Sequence, residues 1–243
     1  MGTDEEFREL VQDIHNRGMH IVIDGVFNHC SWYFPQFSDV VEKGESSEYA
    51  NWFYRLQFPV IRPATEEEKP TYSCFAYERK MPKLNSSNPE ERAYFMEVCR
   101  YWIREFKVDG WRLDVANEVD RGFWRDFHRA AHEENPESVM IGEIWESSET
   151  WLNGDMFDST MNYDFRKNCR DFFALRKISA EEFHDRIVKM LLRYRTGTLR
   201  GQLNLLDSHD VNRFLSYCEG DLRRFRLAEV FLFTSPGIPY HNT

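Results

Sequence analysis

The chain has 243 residues, of which 42% are hydrophobic and 16% aromatic, and it carries a formal net charge of −10 at pH 7. This length and composition suffice for one large domain with a sizeable core. The acidic charge argues against nucleic acid and anionic membranes as partners, and no apolar run approaches the ~18 residues of a membrane span. The five cysteines include no CxxC pair, and the first residues, MGTDEEFREL, include no apolar signal segment. We therefore expect reduced cysteines, no zinc or redox motif, and a cytoplasmic protein.

The first 30 residues predict a helix followed by a strand. Thr3 can cap a helix over residues 3–17, since Glu6 stands three positions later as in a capping box, and Gly18 follows the end of this helix. The next segment, MHIVIDGVFNHC, is rich in apolar and β-branched residues, which is typical of a strand buried on both faces. Its carboxyl end carries three polar side chains, which suit a functional site better than a core. They are Asp24, Asn28 and His29.

The segment 31–85 shows no clear helical or strand periodicity. A stretch of this length is typical of a functional insertion, so we predict a small inserted subdomain here. Its aromatic residues allow two interpretations, because they can either stack on a sugar face or form the core of the subdomain. These residues are Trp32, Tyr33, Trp52, Phe53 and Tyr54.

Strands and helices alternate along the rest of the chain. Asn88 can cap a helix that has Pro89 at its first position. Further helices are predicted over 123–134, 180–194 and 222–233, and strands over 107–119, 138–144, 155–163 and 201–206. This alternation predicts an α/β fold with a parallel sheet. A doubly wound sheet remains an alternative, but its ligands gather at one switch point, and the chain has no Gly-rich phosphate loop.

The segment KVDGWRLDVANEV, residues 107–119, carries the clearest catalytic signal. Residues two apart in a strand share a face, so Arg112 and Asp114 are expected to point to the same side. A cation beside a carboxylate favours its ionised form, which is the form that a nucleophile needs. For this pair taken alone, a structural ion pair at a strand end is the alternative interpretation.

Acidic residues recur near the carboxyl ends of the predicted strands, where a TIM barrel carries its active site. The acids are Asp24, Asp114, Glu143 and Asp210. With His29, His209 and Arg112, the last three of these acids indicate hydrolysis of a glycosidic bond, in which one carboxylate attacks the anomeric carbon and another protonates the leaving oxygen. A third carboxylate can stabilise the cationic transition state. A metal hydrolase is the alternative, but the chain lacks HExxH or a comparably tight ligand spacing.

Four segments resemble the conserved regions of the alpha-amylase family of glycoside hydrolases, and they occur in the same order. They are DGVFNH (24–29), GWRLDVANEV (110–119), IGEIWE (141–146) and LLDSHD (205–210). MPKLN (81–85), NEV (117–119) and the segment 151–165 are similar to motifs of the neopullulanase, cyclomaltodextrinase and maltogenic amylase group. The resemblance covers essentially the whole chain. It implies a retaining hydrolase of α-1,4 links in maltooligosaccharides, cyclodextrins, starch or pullulan, with α-1,6 cleavage or transglycosylation as further activities.

The resemblance also implies roles for single residues. Asp114 corresponds to the nucleophile, Glu143 to the general acid/base and Asp210 to the transition-state stabiliser. The implied substrate-binding residues are His29, Arg112, Asn117, Glu118, His209 and Arg213, and Asp24 is implied as the support of Arg112. Asn28 matches a calcium-binding position of many family members that this group often lacks, and no other cofactor is implied. Glu146 departs from the group, which commonly has histidine there.

The resemblance further implies how the chain is organised. Residues 1–243 are expected to form an incomplete TIM (β/α)8 barrel, from its third strand to the start of its eighth, with the small subdomain at 31–85 inserted. We expect a fragment of a longer gene product that is unstable or inactive alone, and a homodimer only for the full-length protein. The alternative function is a non-catalytic amylase-like fragment or sugar-binding module, although such proteins usually lack one of the three carboxylates.

Overall fold

The structure is a computed structural model that describes residues 2–241. It divides into two compact units with the boundary after Met140. We call them the N-terminal unit and the C-terminal unit and describe each by itself.

The N-terminal unit alternates helices with short parallel strands. Its elements are α1 (Asp4–Asn16), β1 (Val22–Gly25), α2 (Pro35–Lys43), α3 (Pro89–Phe106), β2 (Gly110–Leu113) and α4 (Arg121–Glu134). Short 3₁₀ turns lie at Gly44–Ser46, Ala50–Trp52, Phe75–Tyr77 and Ala116–Glu118. Strand β3 (Val139–Gly142) crosses the boundary between the units.

Local signals at the helix N-termini account for α1 and α3, which are among the helices that begin where the sequence predicts. Thr3 and Glu6 form both hydrogen bonds of a capping box on α1. Asn88 accepts hydrogen bonds from two backbone N–H groups of α3, where Pro89 is the first helical residue. Gly110 is required at the start of β2, because a Cβ atom there would lie 2.1 Å from the carbonyl oxygen of Val139.

Strand β1 is not buried on both faces as predicted. Val22 is 39% exposed, and the Asp24 side chain is also largely exposed. The buried apolar residue of this segment is Phe27, which lies just beyond the strand and packs against Phe95 and Trp111 with ring centroids 5.2 and 5.8 Å apart. The apolar run therefore contributes to the core through its end and not through the strand itself.

The segment 31–85 has buried aromatic residues of its own. Phe37 is fully buried and packs against Phe53 and Tyr72 with ring centroids 5.1 and 5.0 Å apart. Trp52 is also buried, whereas Tyr33 is 81% exposed. Packing, not sugar stacking, thus accounts for Trp52 and Phe53. The boundaries of the inserted subdomain stay a prediction.

The C-terminal unit continues the alternation. After β3 it contains β4 (Ser159–Asn162), α5 (Tyr163–Cys169), α6 (Ala180–Arg193), α7 (Thr196–Gly201), β5 (Leu203–Leu205), α8 (Phe214–Tyr217), α9 (Leu222–Thr234) and β6 (Ile238–Tyr240). A π-helical turn at Arg170–Ala174 follows α5, and a 3₁₀ turn lies at Glu149–Trp151. Strands β3, β4 and β5 each pair in parallel with the next strand along the chain. Met161, Tyr163 and Leu205 form a buried apolar cluster on this sheet.

The parallel strands and the helices between them confirm the predicted α/β class. None of the helices within residues 2–241 combines the length and the apolar character that a bilayer crossing requires.

One buried carboxyl group in the N-terminal unit makes the stability depend on pH. Glu91 lies in the first turn of α3 with 0% exposure, and among the described residues neither carboxyl oxygen has a hydrogen-bond partner. Burial raises the pKa of Glu91 to about 8, and the nearby charge of Arg92 only partly opposes this shift. Between pH 4.5 and 8 the unfolded chain releases this proton and the folded chain keeps it. Folding free energy is therefore lost as the pH rises through this range.

We expect Glu91→Met to raise the unfolding temperature, because an apolar side chain of similar size needs neither a proton nor a hydrogen-bond partner. The gain should be larger at pH 8 than at pH 5. The free energy needed to keep Glu91 protonated grows as the pH rises further above its ordinary pKa of 4.5. Thermal unfolding followed by circular dichroism at both pH values measures the difference. The same gain at both pH values would contradict the assignment of a buried neutral Glu91.

Candidate active site

Arg112 lies between two carboxylates in the N-terminal unit. Parallel pairing places Asp24 of β1 opposite Arg112 of β2, and Nη1 of Arg112 donates to Oδ1 and Oδ2 of Asp24 at 2.9 and 3.1 Å. The same nitrogen donates to Oδ1 of Asp114 at 2.8 Å. Arg112 and Asp114 therefore share a face, as the period of two predicts. One fixed positive charge holds two negative side chains at the carboxyl end of the strands.

The backbone turns sharply just after Asp114. The Asp114 N–H donates to the Gly25 carbonyl oxygen at 3.0 Å, which ties this end of β2 to β1. Val115 then has φ 44° and ψ 44°, a left-handed conformation that β-branched residues rarely adopt. Such a residue costs of order 1–3 kcal/mol and persists only where its surroundings impose it. The strain lies directly beside the predicted nucleophile.

A second cluster in the N-terminal unit surrounds His29. Its imidazole stacks on Phe75 at 4.6 Å with an interplanar angle of 2°, and Nδ2 of Asn28 lies 3.3 Å from Nδ1 of the ring. The ammonium group of Lys83 donates to Oδ1 of Asn28, and to Oε2 of Glu118 at 2.9 Å. Burial lowers the pKa of His29, the charge of Lys83 lowers it further, and that of Glu118 works in the opposite direction. The neutral ring can accept one hydrogen bond and donate another.

In the C-terminal unit, Glu143 lies beside an aromatic pair. Glu143 is 2% exposed, and Nε1–H of Trp145 donates to its Oε1 at 3.1 Å. The indole of Trp145 stacks on Tyr163 with ring centroids 4.2 Å apart and an interplanar angle of 13°. Trp145 is nevertheless 47% exposed, so its other face is open to solvent. A wide, flat aromatic surface therefore borders the predicted acid.

Tyr163 also connects this pair to the segment that holds Asp210. The Tyr163 hydroxyl lies 3.2 Å from Oγ of the buried Ser208, and that oxygen accepts the backbone N–H of Asp210 at 3.3 Å. Nε2 of His209 lies 3.3 Å from Oδ2 of Asp210. A chain of contacts within one unit thus runs from Glu143 to Asp210.

Two further predicted binding residues lie at exposed positions. Asn117 is an exposed residue of the 3₁₀ turn that follows Val115. Arg213 is half exposed, with Nη1 3.7 Å from Oδ1 of Asp207. Their predicted contacts with substrate stay predictions.

Sequence reasoning missed the residues that link the predicted ones. These are Lys83, Trp145, Tyr163 and Ser208. A signal existed for Trp145, because it follows Glu143 by two residues, which is the spacing of Arg112 and Asp114. Lys83 and Tyr163 are distant in sequence from Asn28 and Ser208, the residues they contact, and Ser208 is close in sequence only to Asp210. Whether the clusters of the two units act on one substrate stays a prediction.

We expect His29 to titrate below the ordinary histidine value of 6.5. Lys83→Met should raise its pKa because the substitution removes a nearby positive charge, whereas Glu118→Gln should lower it further. NMR titration of the ring protons measures these shifts, with His29→Asn to assign the resonance. Unchanged titration in both variants would contradict the electrostatic coupling of this cluster.

Comparison with known proteins agrees with these motifs. Residues 1–241 match the alpha-amylase catalytic domain. A cyclomaltodextrinase from Thermoanaerobacter pseudethanolicus is 45% identical over 240 residues, which are 98% of this chain and 41% of that protein. The intracellular maltogenic amylase of Bacillus subtilis strain 168 is 43% identical over 244 residues, covering 100% of this chain and 40% of that protein.

A solved cyclomaltodextrinase structure superimposes with a TM-score of 0.93 at 42% identity, over 98% of this chain and 40% of that chain. The chain thus spans about two fifths of the length of these relatives. The match confirms the predicted fold class, an α/β arrangement of the (β/α)8 type in which this chain is a part of the barrel. The chain belongs to the alpha-amylase family of glycosidases, as a part of its catalytic domain.

Proposed function

We propose that the protein is a retaining α-glucan hydrolase of the cyclomaltodextrinase, neopullulanase and maltogenic amylase type. It cleaves α-1,4 links in maltooligosaccharides, cyclodextrins, starch or pullulan. The observation that carries this proposal is that Asp114, Glu143 and Asp210 all stand in motifs of a chain that matches the catalytic domain over residues 1–241. Amylase-like proteins without hydrolytic activity usually lack one of the three carboxylates, and this chain has all three.

The reaction proceeds in two displacements. An oxygen of Asp114 attacks the anomeric carbon, the bond from that carbon to the leaving oxygen breaks, and Glu143 gives its proton to that oxygen. Water then gives a proton to Glu143 while its oxygen attacks the same carbon, which releases Asp114. The two inversions leave the product with the α configuration. Asp210 stabilises the positive charge that develops on the sugar ring.

Contacts within each of the two units support these roles. Arg112 orients Asp114 and favours a charged nucleophile, and it is itself held by Asp24. The exposed face of Trp145 offers a stacking surface for a sugar ring beside Glu143. His29 and His209 supply hydrogen bonds to sugar hydroxyls, with Arg213, Asn117 and Glu118 as further binding residues.

We propose that Asn28 holds no calcium ion. Its side-chain oxygen accepts a hydrogen bond from the Lys83 ammonium group, which also pairs with Glu118. A bound Ca²⁺ needs six to eight oxygen ligands, and a cation already beside Asn28 repels another. The donor set therefore does not fit the ion, and no step of the proposed mechanism involves a metal.

The expectations on partners and location are further parts of the proposal. The partner is an α-glucan, and nucleic acid and membranes are not expected. The five cysteines within the described residues are free thiols, and one relative is named an intracellular amylase, which supports a cytoplasmic location. A homodimer of the full-length protein stays a prediction.

The rival function is sugar binding without hydrolysis, by an amylase-like module. A binding measurement combined with a reducing-sugar assay distinguishes the two functions. Calorimetric binding of β-cyclodextrin without any release of reducing sugar would support the rival.

We expect Asp114→Asn to lower turnover of β-cyclodextrin by about three orders of magnitude or more, because the amide cannot attack the anomeric carbon. The fold should persist, since the amide oxygen can still accept from Arg112. Reducing-sugar release and circular dichroism measure the two effects.

Asp126→Asn is the matched control, because Asp126 also pairs with arginines but lies on helix α4 and not at the end of a strand. It should keep normal turnover. Near-normal activity of Asp114→Asn would refute the nucleophile, and product with the β configuration would refute the retaining mechanism.

We expect removal of calcium with EDTA to change neither the unfolding temperature nor the turnover rate, because Lys83 supplies the positive charge beside Asn28. Scanning calorimetry and the reducing-sugar assay before and after dialysis test this. A fall in either quantity that added Ca²⁺ restores would show that the ion binds after all.

A further inference from the structure

We propose that Arg193 is a positioning residue for the general acid: with Asp164, it holds Trp145 on Tyr163 and thereby orients the carboxyl group of Glu143. The proposal rests on the proposed function, because it assigns Glu143 the role of proton donor. Every contact it uses lies within the C-terminal unit.

Arg193 joins three segments of the chain. It is the last residue of α6, and its Nη1 donates to Oδ2 of Asp164 at 2.6 Å and to Oγ of Ser147. Ser147 in turn donates to the same oxygen of Asp164 at 3.2 Å. Asp164 lies in the first turn of α5, where the helix dipole favours a carboxylate. The guanidinium, hydroxyl and carboxylate therefore form a closed triangle.

This triangle connects the same two segments that the stacked rings connect. Ser147 follows Trp145 by two residues, and Asp164 follows Tyr163 directly. The ring stack is one attachment between the two segments, and the triangle around Arg193 is another. A single stack lets one ring slide over the other, whereas a second, directional attachment opposes sliding. Loss of Arg193 removes the charged part of this attachment and leaves the stack and the single hydrogen bond from Ser147 to Asp164.

The neighbouring residue has a different task. The hydroxyl of the buried Tyr194 lies 3.1 Å from Oγ of Ser148, and that oxygen lies 2.7 Å from Oγ1 of Thr160. These neutral, buried hydrogen bonds attach the same loop to strand β4 and are expected to support the fold. Arg193 is 40% exposed, and exposed ion pairs contribute little to folding free energy. Its substitution should therefore change positioning while it leaves the fold intact.

The consequence falls on proton delivery. Trp145 donates a hydrogen bond to Oε1 of Glu143, and this bond restrains the rotation of the carboxyl group. A displaced indole removes that restraint, so the acid is less well aligned with the leaving oxygen. The loss of rate should be larger for a leaving group that must be protonated as it departs. The oxygen of a leaving sugar needs a proton, whereas fluoride leaves without one.

The test compares Arg193→Met with the unmodified full-length protein on two substrates. For β-cyclodextrin, whose leaving group is a sugar, kcat/KM should fall by about tenfold or more. For α-maltosyl fluoride, kcat/KM should stay within about twofold, because the same nucleophile attacks and no proton is delivered. Arg193→Lys should recover only part of the loss, since an ammonium group cannot reproduce the planar fork of a guanidinium.

Arg186→Met is the matched control. Arg186 lies on the same helix, α6, and pairs with Asp171 at 3.3 Å and with Glu182 at 2.6 Å, on a different part of the unit. It should leave both substrates unaffected. Equal losses on the two substrates in Arg193→Met, or the same losses in Arg186→Met, would overturn the positioning role.

A spectroscopic readout does not require turnover. In ¹⁵N-labelled protein, the indole N–H resonance of Trp145, assigned with Trp145→Phe, should broaden or shift in Arg193→Met and stay in place in Arg186→Met. An unchanged resonance would overturn the proposal even if activity falls. If the unmodified protein turns over neither substrate, the proposed function fails and this inference fails with it, whereas an active protein with equal losses refutes this inference alone.

Discussion

The arrangement of the N-terminal unit depends on the position of the Arg112 guanidinium between Asp24 and Asp114. Two independent properties of a parallel sheet produce it. Strand register places Asp24 opposite Arg112, and the pleat returns Asp114 to the same face two residues later. One positive charge then serves two carboxylates, so each side chain limits the movement of the others. The strained backbone of Val115 follows directly after Asp114, the last residue of this cluster.

The C-terminal unit orients its carboxylate in a different way, with rings and hydroxyls. Glu143 is nearly inaccessible to solvent, and a buried cation carries a large desolvation penalty. The indole N–H of Trp145 supplies a hydrogen bond without that penalty, and the ring of Tyr163 stacks on one face of the indole. Arg193 is charged but stands at the partly exposed end of α6, where water still solvates it.

Sequence reasoning about the fold succeeded where the signals were local. Helices α1 and α3 begin at their predicted caps because the cap and the first turn are adjacent in sequence. It failed for the short helix α5 and the π-helical turn after it. Their aromatic residues pack against residues that are distant in sequence, as Phe165 does on Phe231 with ring centroids 5.5 Å apart. Such packing leaves no periodic pattern in a short segment. The predicted two-sided burial of β1 was wrong for a related reason: periodicity reveals apolar character but not what covers it.

By itself, the sequence determined the family, the α/β class and the carboxylates that are predicted to react, because four short motifs and their order carry that information. Only the tertiary structure decided which side chains distant in sequence support those residues. Lys83 meets Asn28 across 55 positions, and Tyr163 meets Ser208 across 45. Contacts over such separations form when helices and strands pack, so neither composition nor spacing contains them. The reactive residues of the site are therefore recognisable from local motifs, whereas its rigidity arises from contacts between residues that are distant in sequence.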